Sequence, residues 1–480
     1  LTADGRLENR GTLQSRDALR VASQGGIDNT GSMRADKNID LATQGVLNNS
    51  GSVVAHDDLM ARAGRINSTK TSTLAAGIDD KGAATRPGSL TLNSNGELAA
   101  QGQNLATQRL TAHGTRVDMS ASQTLADQIA LTATAGDVST ADATVKSRQL
   151  DVKATERITN DRGQVSAHKL TLNAPVLSNR GGLLRQEGSD ALTLKARRLD
   201  NGGGAIITAG DLNVQAPELN NRQGLLESTG HALTLTVDRL DNQQGTVQLS
   251  GAGQMAVTAQ QLDGAQGELL SAGKLNVQGQ AMNLDGATTQ AQQVALKAQS
   301  LSHRGGIMQQ QGGEAMTLDV AAGLNNHLGR LESNGDLQLH AGALDNSAGT
   351  LLAAGAASQR LNVAGALDNS DGNILAARAV ALEAQTLQNQ RGHLAATGGD
   401  MTLQIADELG NQGGRIEAQD ALTSQSGAFN NDGGTLLGDA VTLDTRQQAL
   451  SNAGGKLVAD GALDLESGRF ENTGGLAQAG

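Results

Sequence analysis

The chain has 480 residues, with 62 Gly, 3 Pro, no Cys, no Trp, no Tyr and two Phe. Its 37 Lys and Arg against 49 Asp and Glu give a formal charge of −12. That charge would repel a phosphate backbone, and only Phe429 and Phe470 could stack on bases, so we expect no nucleic-acid binding. The absence of cysteine excludes disulfides, thiolate zinc sites and iron–sulfur clusters. The core must be built from Leu, Val, Ile and Ala.

The apolar segments are all short. No apolar run approaches the ~20 residues of a membrane-spanning helix, so we expect no transmembrane segment. Residue 1 is Leu and the first residues are polar, which indicates no signal peptide and suggests a fragment of a longer protein.

A short phrase recurs along the chain and is most complete at 450–465. It opens with an apolar residue, a polar residue and then Asn. Between 158 and 470 the phrase advances by about 21 residues per step, a period typical of solenoid repeats. The openings begin at residues 7, 27, 47, 66, 158, 177, 199, 219, 240, 262, 284, 301, 324, 344, 367, 387, 409, 429, 450 and 470.

A second anchor, an apolar-x-apolar triplet, runs in parallel and persists where the Asn phrase fades. Its one irregular step runs from Leu59 to Leu90 and is long enough for one ordinary turn and about ten extra residues near 69–87. The triplets begin at Leu19, Ile39, Leu59, Leu90, Leu110, Ile129, Leu150, Leu170, Leu192, Leu212, Leu233, Met255, Leu275, Val294, Met316, Leu337, Leu361, Val380, Met401, Leu422, Val441 and Leu463.

Within each repeat the apolar residues alternate, which indicates strands rather than helices. Each repeat contains about three short strands separated by Gly-containing corners. A repeat of this length has no room for the helix of a leucine-rich repeat. A single repeat buries too little apolar surface to fold alone, so its edges must pair with the repeats above and below. The sequence therefore predicts an all-β parallel β-helix (solenoid) of about 22 turns, with ~20–21 residues per turn.

The repeats fall into three consecutive segments of one continuous β-helix. Residues 1–66 form a first array with the Asn phrase. Residues 67–157 follow a second style without it and include the insertion near 69–87. Residues 158–480 return to the first style.

Asn at the third place of the phrase predicts a ladder of amides stacked along the axis, since identical amides in register can hydrogen-bond to one another. Asn also tolerates the left-handed backbone of a corner. Ser68, Gly264, Gly286 and His303 depart from the pattern, so we expect a break and a changed cross-section between 264 and 303. The predicted ladder consists of Asn9, Asn29, Asn49, Asn160, Asn179, Asn201, Asn221, Asn242, Asn326, Asn346, Asn369, Asn389, Asn411, Asn431, Asn452 and Asn472.

Several phrases resemble those of a known family. They are LDNSAG at 344–349, STLAAGID at 72–79 and GELAAQGQNL at 96–105. In these phrases, and in their number and register, the chain resembles the filamentous-haemagglutinin-type exoproteins of Gram-negative two-partner secretion systems. That family includes contact-dependent growth-inhibition toxin proteins.

The resemblance implies a right-handed β-helix that is exported through a dedicated outer-membrane transporter and folds outside the cell. It implies a secreted protein displayed on the surface of a Gram-negative bacterium, with a host or target-cell receptor as a further partner. The family's amino-terminal secretion domain and carboxy-terminal toxin block are not recognisable in this chain, so the resemblance implies the stalk. Residues 70–157 resemble the family's second repeat style.

Candidate sites are few. The eight His, at 56, 113, 168, 231, 303, 327, 340 and 393, have no metal-binding spacing, and we expect no metal and no cofactor. Parallel β-helices also include polysaccharide lyases and glycosidases with paired acids, which makes Asp57, Asp58, Asp79 and Asp80 candidates. The Gly-Gly pairs at 181, 202, 305, 413, 433, 454 and 474 lack a following helix or Gly-Lys-Ser/Thr, so they are assigned to corners rather than phosphate loops.

Two functions follow. The first is a non-catalytic rigid stalk of an adhesin or contact-dependent growth-inhibition toxin protein, which projects a distal binding or effector domain. The alternative is a carbohydrate-active β-helix enzyme whose activity depends on Asp79 and Asp80. The insertion near 69–87 is the best candidate for contacts beyond the scaffold.

Overall fold

A computed structural model describes residues 1–79, 82–84 and 86–480. Every regular element in these residues is a β-strand, 58 in number, and they contain no helix. The chain divides into two compact units, an N-terminal unit Leu1–Val237 and a C-terminal unit Asp238–Gly480. In each unit the strands are parallel and stack as successive turns of a β-solenoid.

The two units together contain about 24 turns, close to the 22 that the repeat predicted. The all-β parallel solenoid is thus confirmed.

The strands up to the boundary between the units are β1 (Thr2–Ala3), β2 (Leu7–Asn9), β3 (Thr12–Ser15), β4 (Leu19–Ser23), β5 (Ile27–Asn29), β6 (Ser32–Ala35), β7 (Ile39–Thr43), β8 (Val46–Asn49), β9 (Ser52–Ala55), β10 (Leu59–Ala63), β11 (Arg65–Ser68), β12 (Thr73–Ala76), β13 (Ser89–Ser94), β14 (Leu98–Ala100), β15 (Gln103–Ala106), β16 (Arg109–Gly114), β17 (Val117–Asp118), β18 (Gln123–Leu125), β19 (Gln128–Ala133), β20 (Val138–Ser139), β21 (Thr144–Lys153), β22 (Arg157–Thr159), β23 (Gln164–Asn173), β24 (Val176–Ser178), β25 (Leu183–Gln186), β26 (Leu192–Lys195), β27 (Arg198–Asp200), β28 (Ala205–Thr208), β29 (Leu212–Asn220), β30 (Leu225–Ser228) and β31 (Ala232–Asp241), which contains the boundary.

The remaining strands belong to the C-terminal unit. They are β32 (Thr246–Leu249), β33 (Gln254–Asp263), β34 (Glu268–Ser271), β35 (Lys274–Asn283), β36 (Thr288–Ala291), β37 (Gln293–Ser302), β38 (Ile307–Gln310), β39 (Met316–Asn325), β40 (Arg330–Ser333), β41 (Leu337–Asp345), β42 (Thr350–Ala353), β43 (Gln359–Asp368), β44 (Asn373–Ala376), β45 (Val380–Gln388), β46 (His393–Ala396), β47 (Met401–Ile405), β48 (Leu409–Gly410), β49 (Arg415–Ala418), β50 (Ala421–Gln425), β51 (Phe429–Asn430), β52 (Thr435–Gly438), β53 (Ala440–Asp444), β54 (Ala449–Ser451), β55 (Lys456–Ala459), β56 (Leu463–Glu466), β57 (Arg469–Glu471) and β58 (Leu476–Gln478).

Each of the first turns of the N-terminal unit contains three short strands. The first carries the Asn phrase, as in β2, β5 and β8, where Leu7 pairs with Ile27 and Ile27 with Leu47. The third carries the second anchor, and in β4 and β7 Leu19 pairs with Ile39. In much of the C-terminal unit the third strand runs around a bend into the next first strand. Strands of nine or ten residues such as β33 and β35 result.

The described residues 77–79, 82–84 and 86–88 belong to an excursion inside the irregular turn. Strand β12 pairs on both sides in register, with β9 before it and β15 after it. The chain then leaves the stack and makes an antiparallel bridge between Ile78 and Ala84. It returns at β13, where Leu90 pairs directly with Leu59. The apolar-x-apolar triplets at Leu59 and Leu90 are therefore direct neighbours in the stack, although more residues separate them along the chain than separate any other two successive triplets.

The interior is packed by the alternating apolar residues. In the second turn Ile27, Met33, Ala35, Ile39 and Leu41 are each at most 1% exposed. Side chains of this kind recur at the same place on every turn, so the core is a set of aliphatic stacks. Because the side-chain period of a strand is two, the intervening residues face solvent.

Corners after the Asn phrase explain the glycine pairs. From Asn160 onward the residue two places after Asn is left-handed, with φ of 56° at Arg162 and 64° at Gly203. At the next residue there is no room for a side chain, since a Cβ on Gly204 would lie 2.0 Å from the carbonyl oxygen of Asn179. No described Asn has a positive φ, so the predicted left-handed role for Asn is wrong. The role of Asn is therefore that of its side-chain amide. The left-handed position two residues later is occupied by Arg or Gln as well as by Gly.

None of the described residues form an apolar helix of membrane-spanning length.

Candidate functional site

The third residue of the Asn phrase points into the solenoid, which places its amide beside the amide of the next turn. In the N-terminal unit the Nδ2 of Asn9 donates to Oδ1 of Asn29 at 2.7 Å, and Asn29 donates to Asn49 at 2.8 Å. A second run begins with Asn160, which donates to Asn179 at 2.8 Å. It continues through Asn201 to Asn221 with distances of 2.8 Å.

The C-terminal unit contains the longest run. Each Nδ2 donates to the Oδ1 of the next turn at 2.6–2.7 Å, from Asn326 through Asn346, Asn369, Asn389, Asn411, Asn431 and Asn452 to Asn472. On the side of the next turn, which has Gly264 at this place, the Nδ2 of Asn242 donates to the carbonyl oxygen of Glu268 at 3.3 Å, and it also donates to that of Gly245 at 3.1 Å.

In the runs from Asn160 onward, the amides also hydrogen-bond to the corner that follows them. The Nδ2 of Asn160 donates to the carbonyl oxygen of Gly163 at 3.2 Å and to that of Leu183, on the next turn, at 3.1 Å. The same pair of contacts recurs along the runs, and most of these Asn residues have no exposed surface. A buried amide without partners would be costly, so the ladder both satisfies the corners and fixes the register between turns.

Other side chains replace the amide at the ends of the runs. Ser68 Oγ accepts from Asn49 Nδ2 at 3.1 Å, and Thr140 Oγ1 donates to Asn160 Oδ1 at 2.9 Å. Between them, Ala100 and Met119 occupy the interior place and are fully buried. The segment without the Asn phrase is therefore apolar at this position.

The Asn ladder is interrupted between 264 and 303 as expected, but one of the residues that interrupt it differs from the prediction. Strand β35 pairs with β33 so that Met282 lies beside Leu262. The residue at the Asn position is therefore Leu284, not Gly286, and the phrase assigned to 284 begins two residues too late. Strands β33, β35 and β37 keep constant register with one another, but the register shifts between Ala298 and Ser300, where β37 pairs with β39, so an irregularity in the stack does lie inside the expected interval.

His303 resumes the ladder after this break. Its Nδ1 lies 2.8 Å from Oδ1 of Asn326, and the residue has no exposed surface. Its Nε2 is buried without a hydrogen-bond partner among the described residues. Burial lowers the pKa of His303, against the opposing effects of Asn326 and Asp285, because a charged imidazolium is poorly solvated there.

The outward face of the same strands carries a groove in the N-terminal unit, called here the central groove. Its volume is about 950 Å³. Its floor is formed by the middle residues of six successive turns, which are small or polar and pair in register. These floor residues are Asn48, Asn67, Ala99, Asp118, Ser139 and Thr159.

Charges of opposite sign alternate along one rim of the central groove. Arg65 forms an ion pair with Glu97 at 2.8 Å, and Arg116 forms one with Asp137 at 3.3 Å. Smaller recesses of 190 and 220 Å³ lie on the same face of this unit, around Asp28 and Ser178. The corresponding face of the C-terminal unit has a groove of 520 Å³ around Asn283.

Sequence reasoning missed the central groove. A signal existed, since the loss of the Asn phrase over 67–157 coincides with the part of the face that is recessed. The strands there are also short, two residues each in β17 and β20.

The candidate acids near the insertion serve local structure. Asp57 Oδ1 lies 3.3 Å from Arg86 Nη1, and Asp58 Oδ1 accepts from the backbone N of Ser89 at 2.8 Å. Asp79 Oδ1 accepts from the backbone N of Ala83 at 2.8 Å. Asp80 lies outside the described residues. Asp57 and Asp58 thus hold the end of the excursion against the stack, whereas the Asp79 contact lies within the excursion.

The histidines are dispersed over both units. Among the residues the structure describes, no three His, Cys, Asp or Glu side chains are placed to share a metal ion. His393 Nε2 lies 2.7 Å from Glu417 Oε1, and His327 Nδ1 lies 2.8 Å from Ser347 Oγ.

Comparison with known proteins identifies the family to which the chain belongs. The sequence pattern of the haemagglutinin repeat matches residues 1–31, 32–102, 248–310, 317–371, 358–413, 402–454 and 441–480, more than half of the chain. No solved structure matches the chain significantly.

Two curated relatives are similar to parts of the chain. A protein named Toxin CdiA, from Yersinia pestis, is 30% identical over 328 residues, which cover 59% of this chain and 10% of that protein. A protein named tRNA nuclease CdiA-2, from Burkholderia pseudomallei strain 1026b, is 38% identical over 109 residues, which cover 22% of this chain and 3% of that protein. The chain thus spans a small part of the length of either relative. With its repeats, its parallel solenoid and these matches, the chain belongs to the haemagglutinin-repeat family of filamentous-haemagglutinin-type proteins.

Proposed function

We propose that this chain is a rigid, non-catalytic stalk segment of a secreted, surface-displayed bacterial adhesin or contact-dependent growth-inhibition toxin protein. Its work is mechanical: it holds a distal binding or effector domain away from the cell. The observation that carries this proposal is the buried amide ladder, which repeats one structural solution over many turns, as a spacer requires. Family membership supports it.

Stiffness follows from the way in which each turn is held. A turn contributes backbone hydrogen bonds to the turn before and the turn after it, and its aliphatic residues pack on their counterparts. Bending would have to lengthen many of these contacts together. In a repeat array the length is set by the number of turns, each of which adds ~4.8 Å.

The partners in this proposal are an outer-membrane two-partner secretion transporter during export and a receptor on the host or target cell. The location is the surface of a Gram-negative bacterium. The absence of cysteine from the sequence supports an export route in which the chain crosses a membrane unfolded. In the producing strain, loss of the cognate transporter should leave the protein inside the cell, and surface antibody labelling measures this.

The stalk role is tested by changing the number of turns in the full-length protein. Strand pairing places Asn325, Asp345, Asp368, Gln388, Gly410 and Asn430 at one position on successive turns. Deletion of residues 326–430 therefore removes five whole turns. We expect a particle ~24 Å shorter in electron micrographs, with the distal domain still active at the surface.

A matched control deletes residues 326–420, which removes a non-integral number of turns and brings unlike strands together. It should misfold or be poorly exported. A globular particle, or an unchanged length after the five-turn deletion, would refute the stalk. Cleavage of a polysaccharide by the intact chain, lost on Asp79→Ala, would refute the non-catalytic part of the proposal and favour the enzyme instead.

A further inference from the structure

We propose that the central groove of the N-terminal unit binds an extended sugar chain that carries free amino groups, such as an oligomer of glucosamine. This binding is separate from the stalk function, and either can fail without the other. The proposal rests on the shape of the groove, on one acidic residue at its floor, and on the change of repeat style that produces it.

The groove suits a linear ligand lying along the axis. Its floor extends over six turns, from Asn48 to Thr159, and thus over ~24 Å at the spacing of neighbouring strands. The floor side chains are small, and four of the six are amides or hydroxyls. Groups of this kind donate and accept hydrogen bonds at regular intervals, as the hydroxyls of a sugar chain do.

Asp118 lies on the floor and supplies the charge that selects the ligand. Its Oδ2 accepts from Nε2 of Gln101 at 2.7 Å and its Oδ1 from the backbone N of Ser120 at 2.9 Å. No basic group in the described part of the chain forms an ion pair with it. The other lining acids are paired, Glu97 with Arg65, Asp137 with Arg116, and Asp142 with Arg162.

The charge balance excludes the competing ligands. Three of the four lining acids are paired with Arg65, Arg116 and Arg162, which leaves the negative charge of Asp118, so nucleic acids, uronates and sulfated glycans would be repelled there. A peptide strand would find no free edge, because backbone groups on this face already bond between turns. A neutral glycan would leave the Asp118 carboxylate without a cation. An ammonium group placed at Asp118 gives a charge-assisted hydrogen bond.

The position of the groove indicates that it is more than a by-product of stacking. The Asn ladder stops at Ser68 and resumes at Asn160, and the central groove lies along this interval. A spacer alone could repeat one style throughout. The second style replaces the interior amides by Ala100, Met119 and Thr140 and presents a recessed outer face.

Titration calorimetry with the full chain at physiological ionic strength tests the proposal. The probes are fully deacetylated glucosamine pentamer, its N-acetylated form and cellopentaose. We expect the deacetylated pentamer to bind most tightly. Asp118→Asn should weaken its binding at least about tenfold, since a hydrogen bond to a charged group contributes ~1.5–3 kcal/mol and each 1.4 kcal/mol is tenfold.

Asp444→Asn is the matched control. Asp444 is half-buried like Asp118, and accepts from Nε2 of Gln425 at 3.0 Å and from the backbone N of Arg446 at 2.7 Å. It lies in the C-terminal unit and lines none of the grooves described above. This variant should leave binding of the pentamer unchanged within about twofold. If both substitutions weakened binding of the pentamer equally, the pentamer would be attracted only by the net negative charge of the chain, and the proposal would be overturned.

Ala99→Arg keeps the proposal testable if Asp118→Asn perturbs folding, which circular dichroism would show. Ala99 is half-buried on the groove floor, and a cationic side chain there would fill the groove and repel an ammonium group. This variant should abolish binding of the pentamer. No binding by the unaltered chain, or full binding by Ala99→Arg, would overturn the proposal.

Discussion

Asn389 and Asn411 lie on successive turns, where Nδ2 of Asn389 donates to Oδ1 of Asn411 over 2.7 Å, and neither residue has exposed surface. The same Nδ2 also donates to the carbonyl oxygens of Gly392 and Arg415, at 3.2 and 3.4 Å. One side chain thus links its own corner, the next amide and the next strand.

Asn389→Ala should destabilise the C-terminal unit by about 3 kcal/mol, because a buried polar group left without its partner costs ~1–3 kcal/mol and several are left here. Urea unfolding followed by circular dichroism measures the change. Asn362→Ala is the control, since Asn362 is exposed and donates only to Glu383, and it should change stability by less than ~0.5 kcal/mol. Equal effects of the two substitutions would show that the ladder does not stabilise the fold.

The two glycines of one corner should respond differently to alanine. Gly203 has φ of 64° with no atom within 4 Å of an added Cβ, whereas at Gly204 a Cβ would lie 2.0 Å from the carbonyl oxygen of Asn179. Gly203→Ala should cost ~1–2 kcal/mol from its left-handed backbone. Gly204→Ala should cost more, because the turns must separate. Thermal unfolding compares the two, and a larger effect of Gly203→Ala would contradict this account of the corner.

The stability around His303 should depend on pH. Its pKa is lowered by burial in the folded chain, against the opposing hydrogen bond to Asn326 and the charge of Asp285, whereas in the unfolded chain it is about 6.5. The unfolded chain therefore binds a proton first as the pH falls. The stabilising contribution of the neutral side chain is fully present above about pH 6.5 and is lost below it, down through the folded pKa.

Hydrogen exchange of the corners at 284–287 and 303–306 measures this effect. Protection should decrease as the pH falls from 7.5 to 5, after correction for the intrinsic exchange rate. In His303→Asn the amide can continue the ladder to Asn326, and the pH dependence should disappear. Persistence of the same dependence in this variant would assign it to other groups.

The ion pair of Arg180 with Asp200 should contribute more than the exposed pairs. The Asp200 side chain is only 5% exposed, and its carboxylate lies 2.6 Å from Arg180 Nη2. Burial alone would raise the pKa of Asp200, but hydrogen bonds from Arg180, Gly202 and Asn220 together lower it. Its stabilisation is therefore present above the unfolded pKa of about 3.9 and is lost as the pH falls through the folded pKa.

Arg180→Met should destabilise the N-terminal unit by about 1.5–3 kcal/mol at neutral pH. Arg391→Met is its control, because the pair of Arg391 with Asp371 is largely exposed and screened by solvent. Urea unfolding at pH 7 should separate the two variants. If both change stability equally, burial of Asp200 has no special role.

Much of the fold could be predicted because the same alternation of apolar and polar residues recurs in every repeat. The alignment of the apolar-x-apolar triplets predicted the strand register correctly even across the irregular step, where Leu59 pairs with Leu90. The phrase at 284 shows where this reasoning stops. Leu284-Asp285-Gly286 fits the sequence pattern, but the hydrogen bonds of β33 and β35 set the register two residues earlier.

The sequence by itself determined the fold class, the approximate number of turns and the identity of the stacked amides, because short repeats with alternating apolar side chains can bury those side chains only by stacking on one another. Tertiary structure decided which residues share a position on neighbouring turns, how His303 is buried, and that Asp118 lies in a groove where no described basic residue forms an ion pair with it. These properties depend on contacts between residues one whole turn apart. The length of each corner, which no local pattern specifies, fixes which side chains meet.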